Sequence, residues 1–255
     1  MIFDTHVQLN DQAFQDDLDS YIKSAENAGV KAFLCVGYDI ESSKKAIEIA
    51  HKYPNVYAAI GMHPTELKDT SIDYVSEIEK LIDDRVVAIG EIGLDYHWDN
   101  VDRETQKKYF EYFIKLACKH KLPISLHVRD AIEDCYNILK GNKEYLTKGV
   151  MHCYSGSAEM MPKFIELGMY IALGGTVTFL NAKKVHEVAA KVPLDKLVVE
   201  TDAPYLAPHP FRGQLNKPEY ITKVVEKIGA IRDLSTFLVE EKTYENAVEL
   251  FNIKD

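Results

Sequence analysis

The chain has 255 residues, 46% hydrophobic and 27% charged, with a net charge of −10. That composition suits a globular protein with a large core, and the acidic balance argues against a protein that coats duplex DNA through a basic face. It leaves a nuclease open, because bound divalent metals supply positive charge where a phosphate sits.

The opening MIFDTH has neither the basic nor the apolar part of a signal peptide. Nowhere does an apolar run approach the roughly 18 residues of a membrane span. Cys35, Cys118, Cys135 and Cys153 form no CxxC pair. The expectation is a cytoplasmic protein with reduced thiols.

In chain order, eight short apolar runs read as strands: Ile2–His6, Val30–Gly37, Val56–Met62, Val86–Leu94, Ile124–Val128, Gly149–Cys153, Tyr170–Gly174 and Leu197–Thr201. Continuous apolar runs are what parallel strands buried on both faces look like. Between successive runs lies room for a helix. Tyr109, Phe110, Phe113, Ile114 and Ala117 share one helical face, and Tyr244, Ala247, Val248 and Phe251 form a stripe on a last helix near Thr236–Phe251. Strands alternating with helices imply βαβ units and a parallel sheet. Eight such units match the size of an α/β fold of the (β/α)8 barrel type, filling residues 1–255 as one domain. The Pro-rich segment Ala203–Pro218 follows the last strand and reads as an ordered loop over the mouth.

The carboxyl ends of barrel strands converge on one face, and here they carry His6, Glu91, His127, His152 and Asp202. A lone histidine beside a strand is ordinarily a satisfied core residue; the coincidence at several ends points to a metal site. Glu91 lies inside an apolar run, where a carboxylate is costly unless paired or bound to metal. Its two oxygens could bridge two metals about 3.5–4 Å apart. Asp95 is expected in the following loop, as a partner of the site or a helix cap. Imidazole suits zinc and carboxylate suits magnesium or manganese, so the set predicts one or two divalent ions, Mg, Mn or Zn. Asp202 is the candidate base that takes the proton of a metal-activated water, with Glu91 beside it as the second catalytic carboxylate. Glu200 shares the face of Asp202, so that one orients the other.

Two residues are candidate substrate contacts. His63, in GMHP, either donates to a phosphate oxygen or stabilises its loop. Arg129 shares the strand face of His127 and either holds a phosphate or neutralises a carboxylate. Among Trp98, Tyr154, Tyr205 and Phe211, some could stack on bases, though packing is the commoner use.

The pieces FDTHVQL, GMHP, GEIGLDYHW, LPISLHVRD, MHCYSGS and ETDAPYLAPHPFRGQLNKP occur in one order along nearly the whole chain. In them the chain resembles the TatD family of metal-dependent deoxyribonucleases, among the amidohydrolase-type barrels. The resemblance implies a TIM-like barrel with one or two divalent ions, acting on DNA, often from the 3′ end. It implies that His6 belongs to one metal and that His127 and His152 belong to the other, with Glu91 between. Asp202 would be a first-metal ligand and base, and His63 a contact to substrate phosphate. Arg212 and Asn216 match the loop pattern without an assigned role. The departure is Gln8, where the family has the second histidine of an H-x-H pair. A neutral amide oxygen on a longer stem is a poorer ligand than imidazole, which predicts a weakened first metal site.

The function expected from all this is metal-dependent hydrolysis of DNA phosphodiesters, with single-stranded or frayed ends as the favoured substrate and no membrane partner. Two alternatives keep the barrel: hydrolysis of another ester or amide, such as an aminoacyl ester on tRNA, or a metal-impaired barrel that binds a partner.

Overall fold

In the computed structural model, which describes residues 1–69 and 71–253, the strands are β1 (Ile2–Val7), β2 (Val30–Val36), β3 (Val56–Ile60), β4 (Val86–Asp95), β5 (Ile124–Arg129), β6 (Gly149–Met151), β7 (Met169–Leu173) and β8 (Leu197–Val199). They form one parallel sheet in chain order, β1 to β8. Helices α1 (Leu18–Asn27), α2 (Ile40–Lys52), α3 (Tyr74–Glu79), α4 (Arg103–His120), α5 (Ile132–Gly141), α6 (Met161–Glu166) and α7 (Lys183–Lys191) fill the crossovers, and α8 (Ile221–Arg232) and α9 (Thr236–Phe251) follow β8. This is the (β/α)8 barrel expected from the spacing of the runs. None of the described helices is long and apolar enough to cross a membrane.

Alternation along each strand sorts the core into two clusters. Phe33 and Cys35 of β2 face the helices, while Leu34 and Val36 face the barrel interior with Ala59, Ala88 and Ala172. The interior is closed at its amino end by α9, whose Ala247, Leu250 and Phe251 reach Phe3, with 5.8 Å between the Phe3 and Phe251 ring centroids. The stripe expected on α9 is therefore rotated: Val239, Thr243, Asn246 and Leu250 are buried with Ala247 and Phe251, while Tyr244 and Val248 lie at its edge. Asn246 explains the shift, because its amide donates to the carbonyls of Leu194 and Leu197 at the foot of β8. On α4 all five stripe residues are buried; the Asp102 side chain caps its start and left-handed Lys121 ends it.

β8 meets β1 through a few specific bonds. The Thr5 hydroxyl donates to the Val199 carbonyl, and the buried Asp4 carboxylate accepts from the Thr201 amide and hydroxyl at 2.9 and 2.6 Å. Backbone bonds from Asp202 to His6 and from Gln8 to Ala203 complete the seam. Burial pushes the Asp4 carboxyl up to about 8 despite those donors. The seam fixes Asp202 beside His6, two residues at opposite ends of the barrel sequence.

Backbone strain concentrates at the mouth. Among the described residues seven non-glycine ones have positive φ; Lys121, Asp233 and Asn252 end helices, and the other four, Asp130, Cys153, Asp202 and Leu206, lie beyond β5, β6 and β8. Aspartate tolerates this region better than most residues, and at Asp202 it turns the chain out of β8 at the rim of the cavity.

Candidate metal centre

A cavity of about 250 Å³ opens at the carboxyl ends of the strands, lined by His63, Glu91, His127, His152 and Asp202 together with Gln8 and Tyr205. Close strand packing brings Glu91 there. A Cβ on Gly90 would lie 2.6 Å from the Ser125 Cβ, and one on Gly61 2.9 Å from the Glu91 carbonyl oxygen, so only glycine allows β4 this approach to its neighbours.

Of the four groups of donors among the described residues that gather their ligand atoms within 4.8 Å, three lie here: His6, His152 and Asp202; Glu91, His127 and His152; His63, Asp95 and His127. His6 Nε2 lies 3.8 Å from Glu91 and 3.7 Å from Asp202. His152 Nε2 lies 3.9 Å from both carboxylates. His152 thus belongs to the His6 group as much as to the His127 group, a wider membership than the resemblance implies.

The two outer imidazoles are oriented by carboxylates behind them. His152 Nδ1 is 2.9 Å from Glu200, whose other oxygen accepts from the Cys153 amide at 2.7 Å. In the neutral ring that a metal favours, donation from Nδ1 leaves the Nε2 lone pair directed into the cavity, the arrangement of a carboxylate-supported metal ligand. Likewise His127 Nε2 is 2.8 Å from Asp95, leaving Nδ1 3.0 Å from Glu91. A neutral Nδ1 and a carboxylate oxygen at that separation need a proton or a cation between them. His63 Nδ1 lies 2.7 Å from the Thr65 hydroxyl and 3.3 Å from the Thr65 amide; with both as donors to Nδ1, the ring proton sits on Nε2 at the cavity. Burial holds the His63 imidazole down at about 4, so it is a neutral donor.

His6 differs. It is fully buried, and among the described residues neither ring nitrogen has a hydrogen-bond partner. Burial and the facing His152 hold it well below the usual histidine range. An imidazole buried without partners is costly, and a cation beside two carboxylates is the partner that this donor set fits. The remaining groups show the same competition. Burial opposes the charge of His152, but the Glu200 carboxylate outweighs it and raises the imidazole to about 10. Burial raises Asp202 to about 7, with Glu91 and Glu200 adding and His152 opposing. Burial also works against the Glu91 charge, yet His127, His6 and His63 hold that carboxyl well below its ordinary range. Divalent charge placed here would favour ionised carboxylates and neutral imidazoles throughout.

His6, Glu91, His127, His152 and Asp202 come together as the strand-end pattern requires, although β6 and β8 stop short of His152 and Asp202. Gln8 lines the cavity as alternation from His6 predicts. Arg129, by contrast, is exposed and is not among the cavity residues. Two expectations need correction: Asp95 ends β4 instead of starting a loop, and Glu200 orients His152 where Asp202 was the expected partner. Tyr38, Thr65 and Glu66 also line the cavity. The strand-end rule finds Tyr38, just beyond β2, and His63 marks the neighbourhood of the other two. His51 and His120 pair with surface carboxylates, Asp83 and Glu79, away from this cavity.

A (β/α)8 barrel with imidazoles and carboxylates gathered at its mouth is the framework of a metal-dependent hydrolase. The family model described as "TatD related DNase" matches residues 3–252. The "Uncharacterized metal-dependent hydrolase YabD" of Bacillus subtilis is 42% identical over 254 residues, covering 99% of this chain and all of that protein. The crystal structure of the TatD homologue YjjV from Escherichia coli superposes with a TM-score of 0.94 at 32% identity, covering 99% of this chain and 98% of its own. A TatD-family hydrolase from Entamoeba histolytica gives 0.88 at 27% identity, covering 98% and 97%. The chain belongs to the TatD family.

Proposed function

We propose that this metal-dependent hydrolase is a deoxyribonuclease that cleaves DNA phosphodiester bonds from the 3′ end, with single-stranded or frayed ends as substrate. The observation that carries the reading is the partnerless, buried His6 imidazole facing Glu91, His152 and Asp202. The family description supplies DNA as the substrate.

His6, Glu91, His127, His152 and Asp202 would hold one or two ions, Mg, Mn or Zn. Bound there, divalent metal supplies Lewis acidity toward a phosphate and lowers the pKa of water. Asp202, at the rim of the cavity, takes the proton of the attacking water. His63 donates its Nε2 proton to a non-bridging phosphate oxygen. Glu200 and Asp95 keep His152 and His127 in the tautomers that leave a lone pair toward the cavity. Asp202→Asn should lower turnover by about 10²–10⁴-fold, the range for losing a general base, while most metal stays bound.

The test is a 3′-labelled oligonucleotide incubated with the purified protein and Mg²⁺, Mn²⁺ or Zn²⁺, beside a panel of carboxylic esters, lactones and an aminoacyl ester. Label release that stops with chelator and resumes with metal is expected. Faster turnover of any ester in the panel than of the oligonucleotide contradicts the reading.

A further inference from the structure

A second cavity, of about 410 Å³, lies between the loop that follows β7 and the loop that follows β8. Phe179, Leu180 and Asn181 contribute one wall, and His209 and Arg212 the other. The two loops are stitched together: the His209 amide donates to the Thr178 hydroxyl at 2.7 Å, and a side chain at Gly175 would collide with the Leu206 carbonyl. Both loops leave the carboxyl ends of strands, so this cavity shares the mouth with the metal centre. Tyr205 lines the first cavity and His209 the second. They are four positions apart, at most about 14 Å of chain, or about four nucleotides of stacked strand at roughly 3.4 Å each.

Its chemistry is apolar with an unneutralised cation. Leu180 is 78% exposed, the most exposed of the large hydrophobic side chains. Arg212 stands 3.9 Å over the centre of the Phe179 ring, which sets the guanidinium plane without occupying its N–H groups. Of the five arginines, Arg85 and Arg232 donate to backbone carbonyls and Arg103 lies over Tyr96. Among the described residues Arg212 has no carboxylate within salt-bridge distance. An unpaired guanidinium beside apolar side chains, in a chain of net charge −10, complements an anion that also presents a flat apolar face. Between the cavities, Tyr205 and Leu206 are 53% and 39% exposed, surfaces on which bases can rest.

We infer that this cavity is a second binding site for single-stranded DNA, holding a nucleotide remote from the scissile bond with its phosphodiester on Arg212 and its base against the Phe179–Leu180 face. The inference rests on the DNA reading above and names how the strand is held.

It is tested by fluorescence anisotropy of labelled thymidine oligonucleotides whose phosphorothioate linkages resist hydrolysis, added to the metal-loaded protein. Arg212→Ala should weaken binding of a twelve-nucleotide strand on the order of tenfold, with a slope of log affinity against log salt shallower by about 0.7. Leu180→Asp should weaken it by a similar factor. A dinucleotide, too short to reach, should bind the wild type and both variants alike, and Lys119→Ala on α4 should bind the long strand as the wild type does. Equal affinity of wild type and Arg212→Ala for the long strand, or equal losses at both lengths, overturns the site. Binding that depends on Arg212 in a protein that releases no label with any metal keeps the site and removes the nuclease; label release without that dependence removes the site alone.

Discussion

His6 and His152 stack with 3.5 Å between ring centroids, yet they are held in opposite ways. His152 is tied from behind by Glu200, itself bonded to the Cys153 amide. Among the described residues His6 has no partner at either ring nitrogen, and its neighbour across the strand pleat is Gln8 instead of a second imidazole. The β5–β6 side of the site is therefore assembled by protein–protein bonds whether or not metal is bound. The β1 side is fixed by its seam to β8 and by packing, while the His6 ring nitrogens have no partner among the described residues and a cation would satisfy them. Ligands of one site thus differ in what they contribute to the metal-free fold.

The contrast is broken most directly through stability without metal. His152→Leu strips the buried Glu200 carboxylate of its charged partner, and leaving such a charge uncompensated costs about 3 kcal/mol. Thermal unfolding in chelator should show that loss, and an unchanged midpoint would mean that Glu200 is held by other groups. Next in size, Glu200→Gln weakens the support behind His152 and should lower metal affinity about 10–100-fold by calorimetric titration; an unchanged affinity would mean that Glu200 does not orient the ligand.

His6→Leu should act with the reverse sign. It removes two unsatisfied buried nitrogens, so in chelator the variant should be more stable than the wild type by about 1–2 kcal/mol. With manganese added, the order should invert, because the wild type gains from ligand binding and the variant gains less. A loss of stability in chelator would show that His6 has a partner after all. The smallest effect is Gln8→His, which gives the weak side a second imidazole. Metal affinity and turnover should both rise by several-fold, on the order of 1 kcal/mol; no rise in either discards the idea that Gln8 weakens the site.

Barrel order was legible because fully buried parallel strands leave apolar runs, and in such a barrel the end of each run marks the mouth. That rule alone located His6, Glu91, His127, His152 and Asp202. It failed where side chains reach across strands. Alternation pairs Glu200 with Asp202 on one strand, but β8 ends at Val199 and Asp202 turns away with φ of 57°. Glu200 is then left facing β6, where His152 is the available donor. The rotated face of α9 was hidden for a similar reason: Asn246 reads as a surface residue until the Leu194 and Leu197 carbonyls are placed beside it. Arg129 shows the limit of strand parity, since a residue can share the face of His127 and still emerge past the rim.

The most direct test is a crystal grown with Mn²⁺ and read by anomalous scattering at the manganese edge. A peak coordinated by His6, Glu91, His152 and Asp202 is the predicted result. Anomalous density confined to the exposed His51, Asp83 and Asp84 group, with none at the mouth, would contradict it.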